Sequence, residues 1–257
     1  MKLSVVIPVR NEEGCIGKVV SILAEELKSK SIEHEIVLVN DNSTDSTARE
    51  LNELFCSQRG IKIIDSPAPN GFGRAIKTGL DNVSGDIVVI FMGDGSDDSE
   101  DVVKYYNKIL EGYDCVFGSR FIKGSKVTEY PKIKLILNRL GNKLIQLLFL
   151  IKYNDVSNAF KAYRIKAIRA MQPLVSQYFN ITVEMPLKAI ARGFSYAVVP
   201  INWNGRESGV SKYRIQELSR KYFFSILYVW LEKILLKEEI RKDRVIMPPE
   251  DRKNCNA

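Results

Sequence analysis

The feature that most constrains this chain is an alternation of short apolar runs with amphipathic segments over its first half. Leu3–Val9, Glu35–Val39, Ile61–Ile64, Asp86–Met92 and Cys115–Phe117 read as strands. Apolar residues at helical spacing predict helices over Glu13–Lys28, Thr44–Phe55, Gly73–Asn82 and Glu100–Leu110. Strands separated by helices of that length imply βαβ units and a mostly parallel sheet, because parallel neighbours need a crossover connection. In open sheets of this kind, ligands bind beyond the carboxyl ends of the strands. Chemistry is therefore expected just after Val9, Val39 and Met92.

The second half has a different texture. Tyr130–Lys152 is basic and apolar, with Ile133, Ile136, Leu140, Leu144, Leu147 and Ile151 at helical spacing. Phe160–Met171 and Val183–Arg192 read as helices, Phe194–Ile201 as a strand, and Ile215–Glu239 as a long helix. The 257 residues are 45% hydrophobic and 27% charged, which excludes disorder as the main state. The net charge of +7 calls for an anionic partner: phosphates, nucleic acid or an acidic membrane surface. Cys15, Cys56, Cys115 and Cys255 are scattered and form no CxxC, which argues against a zinc site or disulfide framework and fits a reducing compartment. Pro8 breaks the first apolar run before it reaches the length of a secretion signal. No uncharged apolar stretch approaches the roughly 18 residues of a membrane span.

Four polar clusters fall at the predicted strand ends. Pro8-Val-Arg10-Asn11-Glu12 follows the first strand, and Glu12 can accept bonds from a base or ribose or sit at a helix start. Asn40-Asp41-Asn42-Ser43-Thr44-Asp45 follows the second. Asp41 is the functional candidate there, whereas Ser43, Thr44 and Asp45 suit helix capping. Asn70-Gly71-Phe72-Gly73 lacks the third glycine of a dinucleotide loop and reads as a tight turn into a helix. Met92-Gly93-Asp94-Gly95-Ser96-Asp97-Asp98 gathers three carboxylates. Their repulsion would be relieved by a hard divalent cation, Mg²⁺ or Mn²⁺, although a solvated turn capping the next helix accounts for them too. Gly118-Ser119-Arg120 and Arg206-Glu-Ser-Gly209-Val-Ser211-Lys212 place cations beside glycines, where they can hold phosphate oxygens.

Taken together, these segments resemble the family 2 glycosyltransferases of GT-A fold, in particular the dolichol- and polyprenyl-phosphate mannose synthases. The resemblance runs over about residues 3–215. It is carried by the order and spacing of Val5-Val-Ile-Pro-Val-Arg-Asn-Glu12, Val39-Asn-Asp-Asn-Ser-Thr-Asp45, Asn70-Gly-Phe-Gly73, Gly85-Asp-Ile-Val-Val-Ile90, Gly118-Ser-Arg120 and Arg206–Lys212. It implies a Rossmann-like, mixed but mostly parallel sheet flanked by helices. Residues 1–215 would form the catalytic domain, with 130–152 as an interfacial helix, 216–240 as a C-terminal amphipathic helix and 241–257 as a flexible polar tail. Pro8, Arg10, Glu12, Val39, Asp41, Gly93 and Asp94 would bind the nucleotide sugar. Arg120, Arg206, Ser211 and Lys212 would bind phosphate. Asp94, Asp97 and Arg120 would be the catalytic set, with Asp94 and Asp97 on the metal. Two positions depart from the family pattern. Asn40-Asp41-Asn42 stands for Asp-Asp-Gly, and Met92-Gly93-Asp94 stands for Asp-x-Asp, so Asp97 or Ser96 is expected to supply the missing oxygen.

The reaction so implied moves a hexose from a nucleotide sugar to a polyprenyl phosphate, inverting the anomeric carbon. A phosphate monoester is largely a dianion at neutral pH and needs little general-base help. A hydroxyl acceptor would need a carboxylate base, for which Asp97, Asp98 and Glu184 are candidates. The Tyr130–Lys152 and Tyr222–Leu231 segments could lie at a lipid interface or pack as core helices. A place on the cytoplasmic face of a membrane follows, held peripherally, by an anchoring partner or in a homo-oligomer. Three alternatives stay open from sequence: transfer to a glycan hydroxyl, nucleotide-sugar binding without catalysis, and nucleic-acid binding, which has only the net charge to support it and is not expected.

Overall fold

The computed structural model describes residues 1–57, 60–128, 130, 132–205 and 215–246. Strand β1 (Leu3–Val9) is buried along its whole length. The chain then runs through α1 (Ile16–Ser29), β2 (His34–Asn40), α2 (Thr47–Ser57), β3 (Ile61–Asp65) and α3 (Phe72–Leu80). It continues through β4 (Ile87–Ile90), α4 (Ser99–Leu110), β5 (Cys115–Ser119), β6 (Lys126–Val127) and α5 (Lys132–Phe149). The last elements are β7 (Lys161–Arg164), α6 (Ile165–Ala170), α7 (Ile181–Ala191), β8 (Tyr196–Pro200), β9 (Asn202–Trp203) and α8 (Ile215–Ile246).

Seven strands form one sheet in the order β3-β2-β1-β4-β7-β5-β8, and β6 pairs with β9 apart from it. All neighbours in the large sheet are parallel except β7, which is antiparallel to both β4 and β5. Side chains alternate across β1. Leu3, Val5 and Ile7 join one core with Ile16, Val20 and Leu23 of α1 and Val102, Tyr105 and Ile109 of α4. Val6 joins the opposite core with Ala75 and Ile76 of α3 and Val183 and Leu187 of α7. Burial on both faces explains why β1, β2 and β4 are nearly continuous β-branched runs. The amphipathic spacing of Ile16, Val20, Leu23 and Leu27 sets α1 on its face.

The segment expected to be helical over Phe160–Met171 is instead a four-residue strand followed at once by a short helix. Phe160, Tyr163, Ala167 and Met171 are all buried, and their spacing imitates one helical stripe although it spans two elements. The strand has no polar face to betray it, since Lys161 is itself buried and donates to the carbonyls of Val156, Asn158 and Thr182. The C-terminal helix continues to Ile246, past the residue where the polar tail was expected to begin.

The glycines at the start of α3 serve a close approach. A Cβ on Gly73 would stand 2.6 Å from Ser176 O and 2.8 Å from Gln177 C and Tyr178 O. These are rigid backbone atoms of the segment leading into α7. Gly73→Ala is expected to cost about 1–3 kcal/mol, the usual toll of overpacking. Urea unfolding measures it, and an unchanged midpoint would show that the 176–178 segment moves freely.

Candidate active site

From β1 the chain builds outward to β2 and β3, then returns to place β4 on the other side of β1. The sheet therefore has a topological switch point between β1 and β4, the place where ligands enter such folds. A cleft of about 230 Å³ opens there. It brings together Pro8, Arg10, Glu12, Asp41 and Gly93 of the predicted set, along with Asn11, Gly71, Phe72, Met92, Tyr178 and Phe179.

Cross-loop hydrogen bonds hold this rim. Asn11 has φ 54°, and its side-chain oxygen accepts from Thr44 N at 2.8 Å while its own N–H donates to Ser43 Oγ at 3.2 Å. Glu12 N donates to Thr47 Oγ1 at 2.9 Å. Ser43 and Thr44, expected as caps, thus tie the loop after β2 to the loop after β1. Asp45 does cap, accepting from Thr47 N. Asp41 is buried, and both of its carboxylate oxygens lie 2.9 Å from Gly71 N, which fixes the entry to α3. Arg10 Nε is buried without a hydrogen-bond partner among the described residues, a donor that a ligand in the cleft would satisfy.

Aromatic residues form a wall that sequence reasoning missed. Phe72 and Phe179 stack with centroids 4.3 Å apart, and Tyr178 adjoins them. The Tyr178-Phe179 pair lies far along the chain, in a connection with no motif. Only its aromatic doublet could have marked it.

The acidic turn after β4 divides by role. Asp98 is the N-cap of α4, accepting from Glu100 N at 3.0 Å, and its other oxygen accepts from Asn202 Nδ2. Asp101 accepts from Lys104 Nζ and Asn202 N. Asp94 and Asp97 remain, both buried. Asp97 Oδ2 accepts from Met92 N at 3.1 Å, and Asp94 Oδ1 from Ser96 N at 3.1 Å. Burial, reinforced by the neighbouring Asp94 charge, pushes the Asp97 carboxyl up to about 8. Two crowded carboxylates suit a hard divalent cation that completes its shell with phosphate oxygens. Among the described residues no group of three His, Cys, Asp or Glu side chains gathers as a metal cage.

Other expected residues are placed differently. The Val39 side chain is fully buried and does not line the cleft, because it belongs to the apolar core that α3 covers. Arg120 is also buried. Its Nε and one terminal nitrogen donate to the two oxygens of Asp155 at 2.8 and 2.7 Å, and its backbone N–H adds a third bond. Burial opposes the charge, yet Asp155 raises the Arg120 pKa above its ordinary value. Tyr130 and Trp203 stand 5.4 and 5.9 Å from the guanidinium. Arg120 is thus held by Asp155, joining β5 to the 154–158 loop, while its charge still acts on Asp97. Glu184, a candidate base, is wholly buried, accepts from Val175 N and Ser176 N, and pairs with Lys188 at 3.3 Å. Arg206, Ser211 and Lys212 lie outside the described residues. The strand before them is anchored on the acidic turn, where Asn204 N donates to Ser96 O and Trp203 bridges Asp97.

A parallel sheet with antiparallel β7 inserted, its cleft at the switch point and its acidic turn after β4, is a GT-A-like α/β fold. A sequence model for glycosyl transferase family 2 matches residues 4–171, and the chain belongs to that family. It is 30% identical over 216 residues to a dolichol-phosphate mannosyltransferase of Pyrococcus furiosus, covering 82% of this chain and 59% of that relative. It is 27% identical to a polyprenol monophosphomannose synthase of Mycolicibacterium smegmatis, over 69% of each. Among solved structures, glucosyl-3-phosphoglycerate synthase of Mycobacterium tuberculosis with bound UDP superposes with a TM-score of 0.68 at 20% identity. That superposition covers 89% of this chain and 80% of the other. The same enzyme has been crystallised with Mn²⁺ and UDP-glucose.

The Asp97 carboxyl makes stability depend on pH. Its value is about 8 in the folded chain against about 4 when unfolded, so the folded state holds the extra proton between those limits. The stabilisation is complete below pH 4 and is lost as pH rises through 8. In chelating buffer, Asp97→Asn is expected to unfold at a higher temperature than wild type at pH 9 and to lose that advantage at pH 5. Parallel curves for the two proteins would place Asp97 in water.

Proposed function

We propose that the chain is an inverting hexosyltransferase that uses a nucleotide-diphosphate sugar and a polyprenyl or dolichyl phosphate acceptor at a membrane surface. The observation that carries this reading is the switch-point cleft ending at the Asp94–Asp97 turn. The names of the two curated relatives supply the acceptor class. Residues 1–215 are the proposed catalytic unit.

In this reading, Asp41, Glu12 and Arg10 hold the nucleoside end of the donor, and the Phe72–Phe179 wall closes that side of the cleft. Gly93 lets the diphosphate approach the β4 edge. Asp94 and Asp97 would hold Mg²⁺ or Mn²⁺, which when bound neutralises charge on the departing diphosphate. The acceptor phosphate oxygen forms the new bond to the anomeric carbon from the face opposite the diphosphate. The C–O bond to the diphosphate breaks, and the configuration inverts. A dianionic acceptor has no proton to lose, which agrees with Asp98 and Glu184 being engaged in capping and in the α7 ion pair. Arg120 acts by positioning rather than by touching phosphate. Phosphate capture is left to Arg206, Ser211 and Lys212. No helix among the described residues is long and apolar enough to cross a membrane. The proposed place is the cytoplasmic face of a membrane, met through the α5 side.

Incubation with radiolabelled GDP- and UDP-hexoses, polyprenyl phosphate and Mn²⁺ is expected to move label into an organic-extractable lipid. Asp94→Ala should lower that transfer about a hundredfold or more. Label appearing only in water-soluble glycan would replace the acceptor, and full activity of Asp94→Ala would remove the metal assignment.

A further inference from the structure

Helix α5 meets the core through few residues, Ile145 and Phe149 among them. Its outward row is apolar: Ile136, Leu140, Leu144 and Leu147 are 66%, 58%, 61% and 72% exposed. Beside that row, Arg139, Lys143 and Gln146 recur at i, i+4 and i+7 and so share one flank of the helix. This flank opens on a cavity of about 520 Å³ whose lining also includes Phe121, Lys152 and Asn154. Three of its lining residues are cations and none of the described ones is acidic. Among the described residues, Arg139, Lys143 and Lys152 make no ion pair. The neighbouring guanidinium differs. Arg120 and Arg139 stand 5.4 and 5.2 Å from the same Phe121 ring, but Arg120 is paired with Asp155.

Arg139, Lys143 and Lys152 are exposed, line one cavity and have no acidic partner among the described residues, so an anion entering there would meet three cations at once. Four exposed aliphatic side chains on the adjoining stripe call for apolar chains at the same place. A free phosphate satisfies only the first demand and an apolar peptide only the second. A membrane lipid with a charged headgroup satisfies both, because basic side chains hold the phosphate while the apolar stripe dips below it.

We propose that the α5 cavity is a headgroup site for an anionic phospholipid of the bilayer, separate from the donor cleft at the sheet edge. It deepens the membrane reading above and rests on it. The lipid acts as a seat and is not consumed. It fixes α5 against the surface from which an acceptor would be drawn.

The test is sedimentation of the full chain with vesicles of phosphatidylcholine alone or of phosphatidylcholine with phosphatidylglycerol. Wild type is expected to partition preferentially onto the anionic vesicles. Each of Arg139→Gln, Lys143→Gln and Lys152→Gln should weaken that partition about fivefold, and the triple variant about a hundredfold. Leu144→Gln with Leu147→Gln should weaken binding to both vesicle types. Thermal shifts with UDP and GDP in Mn²⁺ report the donor cleft and should be the same in wild type and variants. Lys143→Glu provides a second probe should the triple variant fail to fold. Equal binding of wild type to both vesicles, or a triple variant that keeps the preference, overturns the lipid site. A nucleotide response that is absent while the vesicle preference persists overturns the donor reading and leaves the lipid site standing.

Discussion

Asp94 and Asp97 are buried three residues apart in one turn at the carboxyl edge of the sheet. Two such groups cannot both be charged in a dry place without a counter-charge. Asp97 answers by holding its proton to about pH 8. The surrounding acids cannot share the load, because Asp98 and Asp101 are already committed to the start of α4 and to Asn202. The turn thus sets two buried carboxyl groups side by side next to the cleft. Trp203 of β9 and Asn204 just after it are laid directly on that turn.

Buried polar links, more than apolar contact, hold the loops around that turn. Asp41 fixes the start of α3 through Gly71 N, and Asn11 fastens the first loop to the second. Arg120 and Asp155 join β5 to the 154–158 loop, while Lys161 gathers three carbonyls of that loop and of α7. Burial lowers the Lys161 pKa to about 7. Such buried charges are retained at a cost in desolvation, and their use here is to fix position.

The sheet was legible because its strands are buried on both faces and so read as continuous apolar runs. Leu3–Val9 matches its strand from end to end. Carboxylates at strand ends marked Glu12 and Asp41, and the family resemblance added Pro8, Arg10 and Gly93; all five line one cleft. Lys161–Arg164 was misread because a strand and a helix run together with one apparent stripe. The Val39 side chain faces the α3 core, so only its main chain is left to meet a ligand. The fate of Arg120 turned on Asp155, a residue 35 positions away with no motif of its own. Phe179 was missed because it lies between α6 and α7, more than a hundred positions from its partner Phe72 at the start of α3.

As proposed here, the buried acid pair is the cation end of a donor-diphosphate site. Calorimetric titration of wild-type chain with UDP and GDP, in Mn²⁺ and then in chelator, tests it most directly. One nucleotide is expected to bind at least about tenfold more tightly with Mn²⁺, a coupling of ordinary size for two ligands sharing a site. Equal affinity with and without the cation would contradict it.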